Sequence, residues 1–296
     1  KSMRILLVEP PMQSCMLARA DWFPMSITYL AGSAKREGHE VLIYNGEHDP
    51  NLDYLNLTTY SDNYHLYLEA LNDYEHSTWK KFSKVMGNFK PDILGITGFS
   101  VKWPSAQRIA ALGKDYDPNM PVIMGGQHAT IMTDSVLKNP HIDFVARGEG
   151  EETLNEFLRE VDGEKNWKNV DGLSFKSVGI HHNKSRELIK DLDQLAFPAR
   201  ECLHDLEHYT HQSLAKLFAS RGCPFKCSYC GTQNIWTHQL RHHSPQRIVE
   251  EIEHVKSQYH ETYFTFFDDV FAINKKQAMK LLDTMIESKV DINWDC

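Results

Sequence analysis

Short apolar runs punctuate the first half of the chain, and stretches whose apolar residues recur at helical spacing lie between them. Arg4–Glu9 is one such run, stopped by Pro10-Pro11. Ile27 to Glu37 has helical spacing and ends at Gly38, a residue suited to closing a helix in a left-handed turn. Glu40–Tyr44, Asp92–Thr97, Pro121–Met124 and Ile142–Ala146 predict four further strands. Thr78–Phe89, Ser105–Leu112, Ile131–Leu137 and Glu152–Val161 predict helices among them. Strands alternating with helices predict an α/β fold with a doubly wound parallel sheet. Asn45 to Ser77 is polar, rich in tyrosine and longer than the usual connection in such a fold, so it reads as a functional insertion.

The pattern changes after the last of these helices. Val170–Phe175 and Gly179–Asn183 predict a small hairpin, and Asp191–Pro198 leads into a polar connector. From Leu214 to Ala219 a new strand is predicted, followed by a cysteine-bearing loop. Ser244-Pro245 is a helix start, with a capping hydroxyl followed by a proline at the first helical position, and this helix runs to about Tyr259. Thr262–Phe267 is a second strand ending in Asp268-Asp269, Asn274 caps a helix to about Ser288, and Ile292–Cys296 opens a third strand. The expected organisation is a domain over 1–163, a linker with a hairpin over 164–211, and a second domain over 212–296. The second domain thus comprises three β/α units at most.

Composition narrows the function. At 41% hydrophobic and 24% charged residues, the 296-residue chain can bury ordinary cores. A net charge of −8 carries no electrostatic footprint for nucleic acid. No apolar run is long enough to span a bilayer, and Ile5–Val8 is too short for a signal peptide. Six cysteines without a secretory signal argue against a disulfide framework and for a reducing compartment, the cytoplasm.

Two places carry candidate chemistry. Ligands on open parallel sheets bind beyond the carboxyl ends of the strands. Here those ends are Glu9–Met12, Thr97–Ser100, Gly125–His128 and Arg147–Gly150. No G-x-G-x-x-G follows the first strand, which removes a dinucleotide fingerprint. The second place is Cys223, Cys227 and Cys230, spaced C-x₃-C-x₂-C. Thiols this close together meet a metal or remain reactive. Zinc would need a fourth ligand, with His238, His242 and His243 as candidates. A 4Fe–4S cluster held by three thiolates would keep one iron open.

The cysteine spacing, with Arg221-Gly222 before it and Tyr229 inside it, resembles the signature of the radical S-adenosylmethionine (SAM) enzymes. The resemblance implies a 4Fe–4S cluster on Cys223, Cys227 and Cys230 whose open iron chelates SAM, with Tyr229, Asp268 and Asp269 as SAM contacts. The first domain is similar to the cobalamin-binding domain that precedes many radical SAM domains, through Pro10-Pro11, Gly125–Thr130 and Gly148–Glu151. That similarity implies cobalamin at the carboxyl edge, contacted by Thr97, Ser100, Gly125, Gly126, His128, Gly148 and Glu149. One departure stands out. The D-x-H-x-x-G of methionine-synthase-type domains is replaced by Pro10–Cys15, so no histidine of that motif ligates cobalt. His128 remains a candidate cobalt ligand or a hydrogen-bonding loop residue, and Cys15 a candidate soft ligand or a free thiol.

What the resemblance implies is radical methylation of an unactivated carbon of a small-molecule substrate through methylcobalamin. An electron donor such as flavodoxin or ferredoxin would serve it. Cobalamin-dependent rearrangement, ring closure or oxidation without methyl transfer shares every motif, as does a relative that has lost cobalamin. A zinc-stapled module without catalysis is the alternative of another class. The family's barrel has six β/α units, so the resemblance implies that 212–296 is the first part of one, whose remainder would hold further SAM and substrate contacts.

Overall fold

The computed structural model describes residues 1–19, 23–54 and 56–296. The chain divides into two compact units, one of Lys1–Glu187 with Pro198–Glu207 and one of Leu188–Phe197 with His208–Cys296.

The first unit is built on β1 (Arg4–Glu9), α1 (Met25–Arg36), β2 (Glu40–Asn45), α2 (Leu57–Asp62), α3 (Tyr64–Asn72), α4 (Ser77–Phe89), β3 (Ile93–Ile96), α5 (Trp103–Tyr116), β4 (Val122–Met124), α6 (Gly126–Ile131), α7 (Thr133–Lys138), β5 (Phe144–Ala146), α8 (Glu151–Asp162), β6 (Leu173–Ser177) and β7 (Gly179–His182). Its sheet has the order β2-β1-β3-β4-β5-β6-β7, parallel from β2 through β5. The order reverses between β1 and β3, where Ile5 faces Val41 on one side and Ile93 on the other. This is the switch point at which such sheets bind ligands.

Both faces of the strands are covered, so the strands are apolar throughout rather than alternating. Leu6, Val8, Leu94, Ile96, Val122 and Met124 pack with Trp79, Phe82, Val85, Ile109 and Ala110 of α4 and α5. Ile5, Leu7 and Ile43 are fully buried as well, and α1 lies against β1, β2 and α8. Each such side chain contributes about 1.5–3 kcal/mol by leaving water. The long stretch after β2 folds into two short helices. Trp79 Nε1 donates to the Ala70 carbonyl at 2.7 Å and ties α3 to α4. The helix expected over Ile131–Leu137 is α7, and the residues before it, Gly126–Ile131, form the further short helix α6, separated from it at Met132.

The predicted hairpin is part of this unit. β6 runs antiparallel to β5, and β7 to β6. Arg186 then clasps α8 through Thr153 at 2.9 Å, Glu152 at 3.0 Å and Glu156. Residues 164–211, expected as a linker, are therefore shared between the units. The reason is that β5 would otherwise leave an edge of unpaired backbone groups, which β6 covers.

The second unit contains α9 (His211–Leu214), β8 (Lys216–Leu217), β9 (Ser220–Arg221), α10 (Gln233–Trp236), β10 (Arg241–His242), α11 (Pro245–Tyr259), β11 (Tyr263–Phe266), α12 (Lys275–Glu287) and β12 (Asn293–Asp295). β12, β11 and β8 form a parallel three-stranded sheet. Leu217, Phe264 and Phe266 pack with Ile248, Ile252, Val255, Leu281 and Met285 of α11 and α12. The capping residues act as expected. Ser244 Oγ accepts from the Arg247 N–H at 3.2 Å, and Asn274 Oδ1 from the Gln277 N–H at 3.2 Å. The strand expected over Leu214–Ala219 is shorter. Only Lys216–Leu217 pairs with β11, and the chain then swings away to pair antiparallel with β10.

Candidate functional site

At the carboxyl edge of the first unit, Gly126 has φ +86, and a Cβ there would stand 2.7 Å from Thr97 Oγ1 and 3.2 Å from Gly98 N. Thr97 and Gly126 thus meet across β3 and β4 in a contact that only glycine allows. Gly125 is different: a Cβ there would meet the Ala146 carbonyl at an ordinary 3.6 Å. Ser100 Oγ lies 2.9 Å from His128 Nδ1, and the His128 backbone N–H donates to the Gly98 carbonyl at 3.3 Å. The His128 ring packs on Trp103 with centroids 5.0 Å apart. Burial holds its pKa below the usual histidine value, so the ring is neutral at pH 7. Its Nε2 is buried and has no hydrogen-bond partner among the described residues. A buried orphan nitrogen of this kind asks for a ligand. Gly148, with φ +75, joins the same edge by donating its N–H to Thr130 Oγ1 at 3.1 Å, and Glu149 beside it is buried.

Sequence reasoning missed a charged cluster beneath this edge. Lys102 Nζ lies 2.5 Å from Glu9 Oε1 and 3.0 Å from Glu47 Oε1, all three side chains being buried. Glu47 Oε2 in turn accepts the backbone N–H groups of Met12, Gln13 and Ser14 at 3.1, 2.8 and 3.2 Å. Burial pushes the Glu9 carboxyl up against the pull of Lys102. It also pushes the Lys102 ammonium down, but Glu9 and Glu47 outweigh it and hold Lys102 above its ordinary value. The loop where a cobalt-ligating histidine would sit is thus fastened by an internal ion pair. No local pattern announces it, since its members stand at positions 9, 47 and 102. Cys15 in that loop is buried, and burial pushes its thiol up to about 12.

In the second unit the cysteine loop leaves and re-enters through the β9–β10 pair, Arg221 facing Arg241 and Ser220 facing His242. Gly222 has φ +98, and a Cβ there would come within 2.0 Å of the Gln239 carbonyl oxygen. The neck of the loop is therefore closed on a glycine. The guanidinium groups of Arg221 and Arg241 both lie near Trp236, 6.0 and 5.5 Å from its ring centre. Within the loop the Cys230 N–H donates to the Cys227 carbonyl at 3.1 Å, and His238 Nδ1 lies 3.0 Å from the Phe225 carbonyl. Cys223 and Cys230 are half-buried, Cys227 is exposed, and all three are free thiols. Tyr229 is exposed on the same loop.

The donor types suit a three-thiolate cluster, with three free cysteines on one short loop, but among the described residues their sulfurs are not gathered within 4.8 Å of one another. Of the histidines offered for zinc, one is already engaged inside the protein. His243 is buried with Nδ1 3.3 Å from Asp193 Oδ1, and burial first, then Arg247 and Arg221, depress its pKa to about 4. Of the two strand-end aspartates, Asp268 is half-buried and already employed. Its Oδ2 accepts the Ala219 N–H at 2.9 Å and its Oδ1 the Ser220 hydroxyl. Asp269 is exposed.

An open parallel sheet with a glycine-lined carboxyl edge, joined to a β/α unit bearing a three-cysteine loop, defines a cofactor-binding class that comparison with known proteins narrows. Residues 17–158 match the family described as the B12 binding domain. An uncharacterized methyltransferase of Pyrococcus horikoshii is 30% identical over 99% of this chain and 59% of its own length. The anaerobic magnesium-protoporphyrin IX monomethyl ester cyclase of Rubrivivax gelatinosus is 26% identical over 99% of this chain and 50% of its own. The radical SAM methyltransferase TsrM from Kitasatospora setae, solved with tryptophan and a SAM analogue, shares the fold with a TM-score of 0.69 at 17% identity, over 97% of this chain and 52% of that one. The chain is thus similar to the B12 binding domain over residues 17–158 and shares its fold with a radical SAM methyltransferase over 97% of its length. It spans between 50 and 59% of the length of these three. Among the described residues no helix is long and apolar enough to cross a membrane.

Proposed function

We propose that this chain is the cofactor-binding portion of a radical SAM enzyme that methylates an unactivated carbon of a small molecule. Cys223, Cys227 and Cys230 would hold a 4Fe–4S cluster, and Thr97, Ser100, Gly125, Gly126 and His128, with Gly148 and Glu149 beside them, would hold cobalamin. When bound, the cluster with SAM supplies a 5′-deoxyadenosyl radical and cobalamin supplies a methyl group. The observation that carries this reading is the glycine-closed neck, which presents three free thiols on one loop. The chain's own residues bind and orient. Asp269 and Tyr229 are exposed and would contact the amino and adenine ends of SAM. The orphan His128 Nε2 would offer one polar contact at the cobalamin edge, its ring held in place through Nδ1 by Ser100.

The test is anaerobic reconstitution with iron, sulfide, SAM and hydroxocobalamin. Iron and sulfide near about four each per chain support the cluster, and one zinc would support a structural staple. Cys227→Ala is expected to abolish iron uptake and SAM cleavage; a variant that still yields 5′-deoxyadenosine refutes the site. An absorbance spectrum without bound corrinoid removes the cobalamin half. A second reading, ring closure or oxidation without methyl transfer, is favoured by the match to the magnesium-protoporphyrin cyclase over nearly the whole chain. A product lacking a new methyl group would select it. An electron donor of the flavodoxin or ferredoxin kind completes either reading.

A further inference from the structure

Asp268 lies where a backbone ladder fails. Along β8 and β11 the Thr265 N–H donates to the Ala215 carbonyl at 3.0 Å and the Phe267 N–H to the Leu217 carbonyl at 2.8 Å. In a parallel ladder the next bond would run from the Ala219 N–H to the Phe267 carbonyl. It does not. The Ala219 N–H turns instead to Asp268 Oδ2 at 2.9 Å, and the Ser220 hydroxyl donates to Asp268 Oδ1. The chain can then leave β11 and pair Ser220–Arg221 with β10, and Gly222 and Cys223 follow directly.

We propose that Asp268 is a positioning residue whose carboxylate replaces the missing ladder and fixes the direction in which the cysteine loop departs. With both oxygens engaged inside the protein, it leaves contact with the SAM ammonium to Asp269, which is exposed on the same turn. The inference rests on the reading that the loop carries a cluster, yet it concerns protein–protein hydrogen bonds and can be measured without one. Burial raises the pKa of Asp268, and the hydrogen bonds from Ser220 and Ala219 offset that only in part.

The experiment compares the parent chain with Asp268→Asn, Asp268→Ala, Ser220→Ala and Asp269→Ala, all first checked for the parent's circular dichroism. In the apo chain, amide hydrogen exchange at Ala219 is expected to quicken by about tenfold in Asp268→Ala, the effect of losing one charge-assisted hydrogen bond. Asp268→Asn, which keeps an acceptor oxygen, should fall between. After reconstitution, Asp268→Ala and to a lesser degree Ser220→Ala should hold less iron and sulfide and broaden the electron paramagnetic resonance signal of the reduced cluster. Asp269→Ala should hold the parent's iron with weaker SAM binding. If Asp268→Ala keeps slow Ala219 exchange and full iron but loses SAM affinity, the inference is overturned and Asp268 is a SAM contact. Should Asp268→Ala not fold, an unchanged cluster signal in Ser220→Ala overturns it equally. A parent chain that takes up no iron, with Ala219 exchange still quickened by the Asp268 variants, defeats the cluster reading and leaves the positioning role standing.

Discussion

Replacing Gly222 with alanine should open the neck of the cysteine loop. The new Cβ would stand 2.0 Å from the Gln239 carbonyl oxygen, whereas ordinary contact begins at 3.4 Å, so the two sides must part by about 1.4 Å. Neither side is a flexible tip; one is backbone and the other is held by the β9–β10 pair. The backbone at φ +98 adds about 1–2 kcal/mol for any residue with a Cβ. Loss of one or two neck hydrogen bonds adds about 1 kcal/mol each, so the whole comes to about 2–4 kcal/mol. For a unit of roughly 100 residues this lowers the melting temperature by on the order of 10 °C or more. The assay is thermal melting of the apo chain followed by circular dichroism, with iron uptake measured in parallel. Gly87→Ala is the control. That glycine lies inside α4 with nothing within 4 Å of its would-be Cβ, so alanine should stabilise by about 0.5–1 kcal/mol. A Gly222→Ala chain that melts within about 2 °C of the parent and takes up iron equally would refute the argument from the neck.

Three further outcomes follow from the electrostatics. Lys102→Met strands the Glu9 and Glu47 carboxylates in the interior and should cost about 3–5 kcal/mol in urea unfolding of the first unit; a loss below 1 kcal/mol would contradict the buried triad. His243 is neutral in the fold, with a pKa near 4 against about 6.5 unfolded, so between those values the unfolded chain binds the extra proton. Its contribution, roughly 3 kcal/mol, is present above pH 6.5 and lost as pH falls toward 4. His243→Gln should flatten the stability profile in that window, and an unchanged slope counts against it. His128→Gln should weaken cobalamin uptake about tenfold, read as a shift in corrinoid absorbance during titration.

Much of this fold was legible because its strands are buried on both faces and stand out as continuous apolar runs. Ile5–Val8, Ile93–Ile96 and Val122–Met124 are of that kind. The caps at Ser244 and Asn274 were equally readable, since a hydroxyl or amide oxygen before a helix has one good use. Strand ends were less so. Leu214–Ala219 looks like one apolar strand, yet the ladder breaks after Leu217 because Asp268, distant in sequence, captures Ala219. The hairpin over 173–182 was visible, but its place in the main sheet depended on an edge left by β5. The cysteines announce themselves by spacing. The Glu9–Lys102–Glu47 triad cannot, because burial of charge is settled by tertiary packing and leaves no periodic trace.

The three amides of Met12, Gln13 and Ser14 have a consequence for which ligands the sheet can accept. Many open α/β sheets turn the amides after their first strand outward, as a cradle for phosphate. Here those amides grip the Glu47 carboxylate. A free phosphate would have to evict a competitor tethered to the same chain and neutralised by Lys102. The cradle is therefore plugged from within, and an anionic group arriving at this rim finds the amides that would usually receive it already taken.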